Sequence, residues 1–160
     1  MTAPTPPRSM DLFQHLLVPT DGSELSRAAA DRAIAIAAAT GARVTFFHAL
    51  PEARQSFFGG EGGGYVDQMP AEEFERLSAL RAKAWLDELQ ARAQARHVPS
   101  DQVMGREGAP YEAIIAIAAE RGCDLVVMAS HGRRGIKSLI LGSETQKVLT
   151  HSKVPVLVYR

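Results

Sequence analysis

The strongest constraint in this chain is a set of short apolar runs that show no alternation. His15-Leu16-Leu17-Val18-Pro19, Val44-Thr45-Phe46-Phe47-His48-Ala49-Leu50, Leu125-Val126-Val127-Met128-Ala129 and Val154-Pro155-Val156-Leu157-Val158-Tyr159 each read as a strand, with Gln102-Val103-Met104 a weaker fifth. A strand that is apolar on consecutive residues buries both faces, the pattern of a parallel sheet covered by helices on two sides. Helical patterns separate the runs. An alanine-rich helix follows Ser23 as far as about Thr40, with Leu25, Ala29, Ala33, Ile36 and Ala37 on one face and Gly41 at its stop. Residues 70–96 repeat Phe74, Leu77, Leu80, Ala84, Trp85 and Leu89 every three or four positions. Gly108-Ala109-Pro110 starts a helix with Ile114, Ile115, Ala118 and Ala119 on its apolar face, and Gly122 stops it. A short helix covers residues 143–152. Right-handed crossovers make this an α/β, doubly wound parallel sheet with helices on both faces. Ligands in such sheets bind beyond the carboxyl ends of the strands, where strand order reverses. That singles out the loops after Val18 and after Met128.

A length of 160 residues suits one domain, expected over residues 11–160 after a frayed, proline-rich start at 1–10. Eighteen basic residues balance eighteen acidic ones, so no charge excess argues for nucleic acid. No apolar run approaches the roughly 18 residues of a membrane span. The start does not read as a secretion signal, and the single cysteine, Cys123, reads as a small buried residue with no disulfide partner. A cytoplasmic location is expected.

Two segments carry the candidate chemistry. Ala129-Ser130-His131-Gly132 follows a buried strand, and Gly142-Ser143 follows Gly132 after nine residues, at a helix start. Phosphate oxygens need several N–H donors converging without side chains between them. Glycine permits that approach, and a helix N-terminus favours the negative charge. Ser143 has two readings: a donor to an anion, or the cap of its own helix, with Ser143-Glu144-Thr145-Gln146 as a capping box. Asp21, within Thr20-Asp21-Gly22-Ser23, also has two. It is a carboxylate for a ribose or a metal, or a turn residue bonded to its own backbone. His131 is either a phosphate donor or acid–base group, or, like His48, a residue in a structural hydrogen bond.

Other patterns fail. Gly132-Arg133-Arg134-Gly135-Ile136-Lys137-Ser138 is not a Walker loop, because Ile136 intervenes and the spacing is wrong. Its three basic residues either meet a polyphosphate or form a solvated basic loop. Gly59-Gly60-Glu61-Gly62-Gly63-Gly64 opens no helix and reads as a flexible loop, not a dinucleotide fingerprint. No histidine pair has metal-ligand spacing, no Gly-x-Ser-x-Gly elbow is present, and no catalytic residue is assigned.

From His15 to Tyr159 these blocks, in this order, resemble the universal stress protein family. Its ATP-binding branch carries Gly-x2-Gly-x9-Gly-Ser/Thr. This chain matches at Gly132, Gly142 and Ser143 and departs where Ala129 replaces the first glycine, a methyl expected to weaken rather than abolish binding. The resemblance implies a Rossmann-like five-stranded sheet of order 3-2-1-4-5. It also implies ATP, with Mg²⁺, as the ligand of a homodimer joined through the last strand, from Val154 to Tyr159. Such a protein acts in stress response and signalling rather than by rapid catalysis. Residue by residue, the resemblance puts Asp21 at the ribose, Pro19 and Thr20 beside the adenine, and Ala49 against it through its backbone. Met128 and Ala129 line the nucleoside. Gly132, Gly142, Ser143 and the Glu144 backbone N–H approach the phosphates, and His131 lies in the same loop. Two alternatives stand beside this reading: a dimer of the same fold that binds no nucleotide and works through protein contacts, which Ala129 favours, and a slow ATP hydrolase or nucleotidyl-transferring enzyme.

Overall fold

The computed structural model describes residues 12–52, 69–105, 108–132 and 141–160. Strands and helices alternate along them: β1 (His15–Pro19), α1 (Glu24–Thr40), β2 (Arg43–Ala49), α2 (Ala71–Ala95), β3 (Ser100–Gly105), α3 (Pro110–Glu120), β4 (Leu125–Ala129), α4 (Ser143–His151) and β5 (Val156–Tyr159). The five strands pair in parallel in the order β3-β2-β1-β4-β5. The order reverses between β1 and β4, so a crevice opens at their carboxyl ends. The expected proline-rich start, the glycine-rich stretch 59–64 and the basic residues 133–138 lie outside the described residues.

Consecutive residues of one strand feed two cores. Leu16 and Val18 pack with Val44, Phe46 and Val127 under Ala33 and Ile34 of α1 and Leu86 and Leu89 of α2. Leu17 packs with Phe47, Val126 and Met128 under Ile114 and Ala118 of α3 and Val148 of α4. Side chains alternate across a strand, so two covered faces demand apolar residues at every position. That is the origin of the unbroken runs.

Three expectations are corrected by the packing. In α1 the buried stripe is Ser26, Ala29, Ala30, Ala33, Ile34 and Ala37, whereas Leu25 and Ile36 are only partly buried. An alanine-rich helix offers several nearly equivalent stripes, and the fit of Ile34 into the core selects this one. In α2 the buried residues are Ala82, Leu86, Leu89 and Ala93, from its middle onward, while Leu77 and Leu80 are 38% and 55% exposed. Its 25 residues rise roughly 37 Å. The seven residues of β2 reach only about 23 Å. The first half of α2 therefore overhangs the carboxyl edge of the sheet. The last strand starts at Val156 rather than Val154, because Pro155 has no N–H for the ladder and the Val154 N–H goes to Ser152 Oγ at 3.2 Å.

The helix ends behave as their residues dictate. Ser23 caps α1 by accepting the Ser26 N–H at 3.2 Å, and Gly41, at φ 77, closes it. Pro110 sits in the first turn of α3, where its missing N–H does no harm. No helix among the described residues is long and apolar enough to cross a membrane.

Candidate functional site

A cleft of about 680 Å³ lies at the carboxyl edge, over the reversal between β1 and β4. All eleven residues singled out in the sequence border it. Pro19, Thr20 and Asp21 come from the exit of β1 and Ala49 from the end of β2. Met128, Ala129, His131 and Gly132 come from the exit of β4, and Gly142, Ser143 and Glu144 from the start of α4.

The β1 exit is rigid because Thr20 is bonded on every side. Its N–H donates to the Phe47 carbonyl at 2.8 Å, its hydroxyl pairs with Ser26 Oγ at 3.0 Å, and its carbonyl accepts from His48 Nδ1 at 2.7 Å. His48 thus has the structural role expected of it. Asp21 follows on this anchor. Its Oδ1 accepts the Ser23 N–H at 3.0 Å, which is the turn reading. Its Oδ2 lies so near Gly132 that a Cβ there would stand 2.4 Å away. One oxygen holds the turn while the other reaches across to the β4 loop. Gly132 is needed for that approach.

The start of α4 is pinned to the end of β4. Thr145 Oγ1 donates to the Ala129 carbonyl at 3.0 Å, and the Gly142 N–H donates to the Ser130 carbonyl at 2.8 Å. A Cβ on Gly142 would lie 3.3 Å from His131 Cα, so this join is also close. The capping-box expectation is overturned. Gly142, not Ser143, is the N-cap, and Gln146 Nε2 donates to the Leu141 carbonyl at 3.1 Å instead of reaching back to Ser143. Ser143 has already turned helical, so its hydroxyl is not spent on the helix. The N–H groups of Ser143, Glu144 and Thr145 are the first of α4 and meet no backbone acceptor among the described residues. The Glu144 carboxylate is turned away, accepting the Tyr111 N–H at 2.8 Å and pairing with Lys147 at 3.2 Å. It meets the N-terminus of α3. His131 pairs its Nδ1 with Ser130 Oγ at 3.1 Å, a structural bond beside the loop. Ala129 is 8% exposed and keeps the strand parity of Leu125 and Val127, on the α1 side of the sheet.

Sequence reasoning missed the wall supplied by α2. Ser78 and Arg81 border the cleft from the overhanging half of that helix, and Trp85 from just past its midpoint. The signal was present in the mismatch between helix length and strand length. The apolar repeat marks the helix without showing how far it outruns the strands. Among the described residues no group of three or more histidines, cysteines or carboxylates could hold a metal ion.

The comparisons with known proteins agree with this architecture. The sequence model of the universal stress protein family matches residues 12–160. The Thermus aquaticus "universal stress protein in QAH/OAS sulfhydrylase 3′ region" is 32% identical over 149 residues, 93% of this chain and 100% of that one. The solved structure of MJ0577, a protein of Methanocaldococcus jannaschii, superposes with a TM-score of 0.75 at 26% identity, over 91% of this chain and 94% of that one. A universal stress protein solved in complex with cAMP superposes with a TM-score of 0.63 at 30% identity, over 92% of this chain and 97% of its own. With the family pattern running from residue 12 to residue 160 over a sheet of this order, the chain belongs to the universal stress protein family.

Proposed function

We propose that this protein binds an adenine nucleotide, ATP with Mg²⁺, in the cleft at the carboxyl edge of its sheet. It does so as a cytoplasmic homodimer joined through β5, and it acts in stress response and signalling rather than by rapid turnover. The observation that carries this reading is the donor set of α4. Three consecutive backbone N–H groups, from Ser143 to Thr145, stand at the cleft with the Ser143 hydroxyl beside them, at the end of a helix whose dipole favours an anion. The relative solved with cAMP, 30% identical to this chain, supports a ligand built of adenine, ribose and phosphate.

In this reading Asp21 accepts from the ribose, and Pro19, Thr20 and the Ala49 backbone lie beside the adenine. Met128 and Ala129 line the nucleoside. Gly132 keeps a side chain out of the path between Asp21 and the phosphates, and Gly142 does the same at the helix start. Gly142 gives no N–H, because the Ser130 carbonyl already holds it. Mg²⁺ arrives on the phosphates, as suits an ion that sheds its water reluctantly. The edge strand β5 pairs on one side with β4, and a second copy of β5 covers its other side. A ligand that binds only the folded chain stabilises it by about 2.7 kcal/mol at a hundredfold excess over Kd, so the nucleotide level sets how much folded dimer is present.

Mass spectrometry of small molecules released on denaturing freshly purified protein is expected to find an adenine nucleotide. Added ATP with Mg²⁺ is expected to raise the unfolding temperature. Protein that carries no nucleotide, gives no calorimetric heat with ATP and shows no thermal shift overturns the reading and leaves a dimer that works through protein contacts.

A further inference from the structure

The two ends of the cleft differ in chemistry. The end under β4 and α4 carries glycines, a hydroxyl and helix-start N–H groups. The end beside β2 and α2 carries rings: His48 and Trp85. Trp85 is held from two sides. Its ring meets the His48 ring edge-on, with centroids 5.4 Å apart and planes at 70°. Its six-membered ring also lies over Gly22, where a Cβ would come within 2.3 Å. Gly22 sits at φ 77, a conformation that glycine adopts without strain, so the turn that presents Asp21 also makes room for the indole. His48 is itself fixed by its bond to the Thr20 carbonyl. The indole is therefore placed before any ligand arrives, and little ordering is left to do on binding.

We infer that Trp85 is the base-recognising residue of this cleft, a planar apolar wall for a heteroaromatic ring at the end opposite the phosphate donors. The inference rests on the nucleotide reading above and deepens it. The ligand class becomes one recognised at the ring as well as at the phosphate, so a polyphosphate without a base is the poorer ligand.

Trp85 is the single tryptophan of the chain, so its fluorescence reports on this wall alone. The test titrates ATP and, separately, inorganic tripolyphosphate into the full chain, read by tryptophan emission and by calorimetry. Trp85→Ala and Trp85→Phe are titrated by calorimetry. ATP is expected to change the emission with the same midpoint as the heat. Trp85→Ala is expected to weaken ATP by about tenfold, the worth of one base–aromatic contact, while Trp85→Phe keeps most of the affinity. Tripolyphosphate affinity is expected to stay the same in both variants. ATP heat with a silent Trp85 and an unchanged Kd in Trp85→Ala overturns the inference and leaves the nucleotide reading standing. Equal losses for ATP and tripolyphosphate reduce Trp85 to a packing residue and overturn it too. Absence of any ATP heat in the unaltered chain defeats the nucleotide reading and this inference together.

Discussion

The two ends of the same sheet handle their polar groups in opposite ways. At the amino end the polar groups around His15 meet other groups of the chain. His15 Nδ1 donates to the Arg121 carbonyl at 3.0 Å and its Nε2 meets Thr45 Oγ1 at 2.7 Å. Thr45 donates to Asp101, which also takes Arg121 at 3.0 Å, and Asp124 accepts the N–H groups of Gln14 and His15 at 2.8 and 3.0 Å. Cys123 lies beside them, its thiol pushed up to about 11, first by burial and then by the Asp101 carboxylate, so it stays protonated at neutral pH. At the carboxyl end the residues where β4 meets α4 are small, and the N–H groups that open α4 meet no backbone acceptor among the described residues. Buried polar groups need partners wherever they are. One end finds them in the chain, and in the function proposed above the other finds them in a nucleotide. Stability should therefore respond to changes at the first end and affinity to changes at the second.

The change that strikes the carboxyl end hardest is Gly132→Ala. The added methyl falls 2.4 Å from Asp21 Oδ2, so the carboxylate must leave its place. ATP affinity is expected to drop by about 3 kcal/mol, the scale of a lost charged hydrogen bond, with a much smaller change in the urea midpoint. Calorimetry and urea unfolding on one preparation check both halves. A large stability loss with unchanged affinity would break the comparison from this side.

The matching change at the amino end is Thr45→Val, which keeps the shape and removes the hydroxyl between His15 and Asp101. Thr45 is fully buried. The loss is expected to be about 2 kcal/mol of stability, seen as a lower urea midpoint at unchanged slope, with ATP affinity unaffected. His15 sharpens the contrast through pH. Burial first, and the Arg43 guanidinium second, hold its pKa below the ordinary 6.5, against the pull of the Arg121 carbonyl, Asp101 and Asp124. The unfolded chain therefore binds this proton at a pH where the folded chain does not. The contribution of His15 is complete above pH 6.5 and is lost as the pH falls from there through the folded value. Stability measured across that window should fall less in His15→Gln than in the unaltered chain. Equal slopes would show that His15 is not depressed.

Much of this contrast is legible in the sequence, because it is local. The runs that end in Pro19-Thr20-Asp21 and Ala129-Ser130-His131-Gly132 place both loops at one edge once the strands are parallel. Gly132 and Gly142-Ser143 carry the anion chemistry in their residue types alone. What escaped is long-range. The seat of Trp85 depends on a glycine in one loop and on a histidine in another element. The ring of bonds around His15 joins residues 30 and 106 positions apart, which no spacing rule reaches. Ser143 keeps two readings in the sequence for a subtler reason. A cap is defined by the backbone angle at which the helix begins, and residue types alone suit Gly142 and Ser143 equally well.

The smallest expected effect comes from His97, where α2 turns back towards β3. The N–H groups of His97 and Val98 close the helix onto the carbonyls of Gln94 and Ala93 at 2.9 Å each, a double bond pattern that needs a left-handed residue between them. His97 fills that place at φ 56, the one non-glycine residue with positive φ among those described. A side chain in this conformation costs about 1 kcal/mol that glycine avoids, and glycine gives back part of the gain by loosening the unfolded chain. His97→Gly is therefore expected to raise the unfolding free energy by roughly 0.5 kcal/mol, seen as a higher urea midpoint, without touching the cleft at the far end of α2. A shift in ATP affinity would mean that α2 carries strain from one edge of the sheet to the other. The two ends would then be a single coupled device rather than a closed end and an open one.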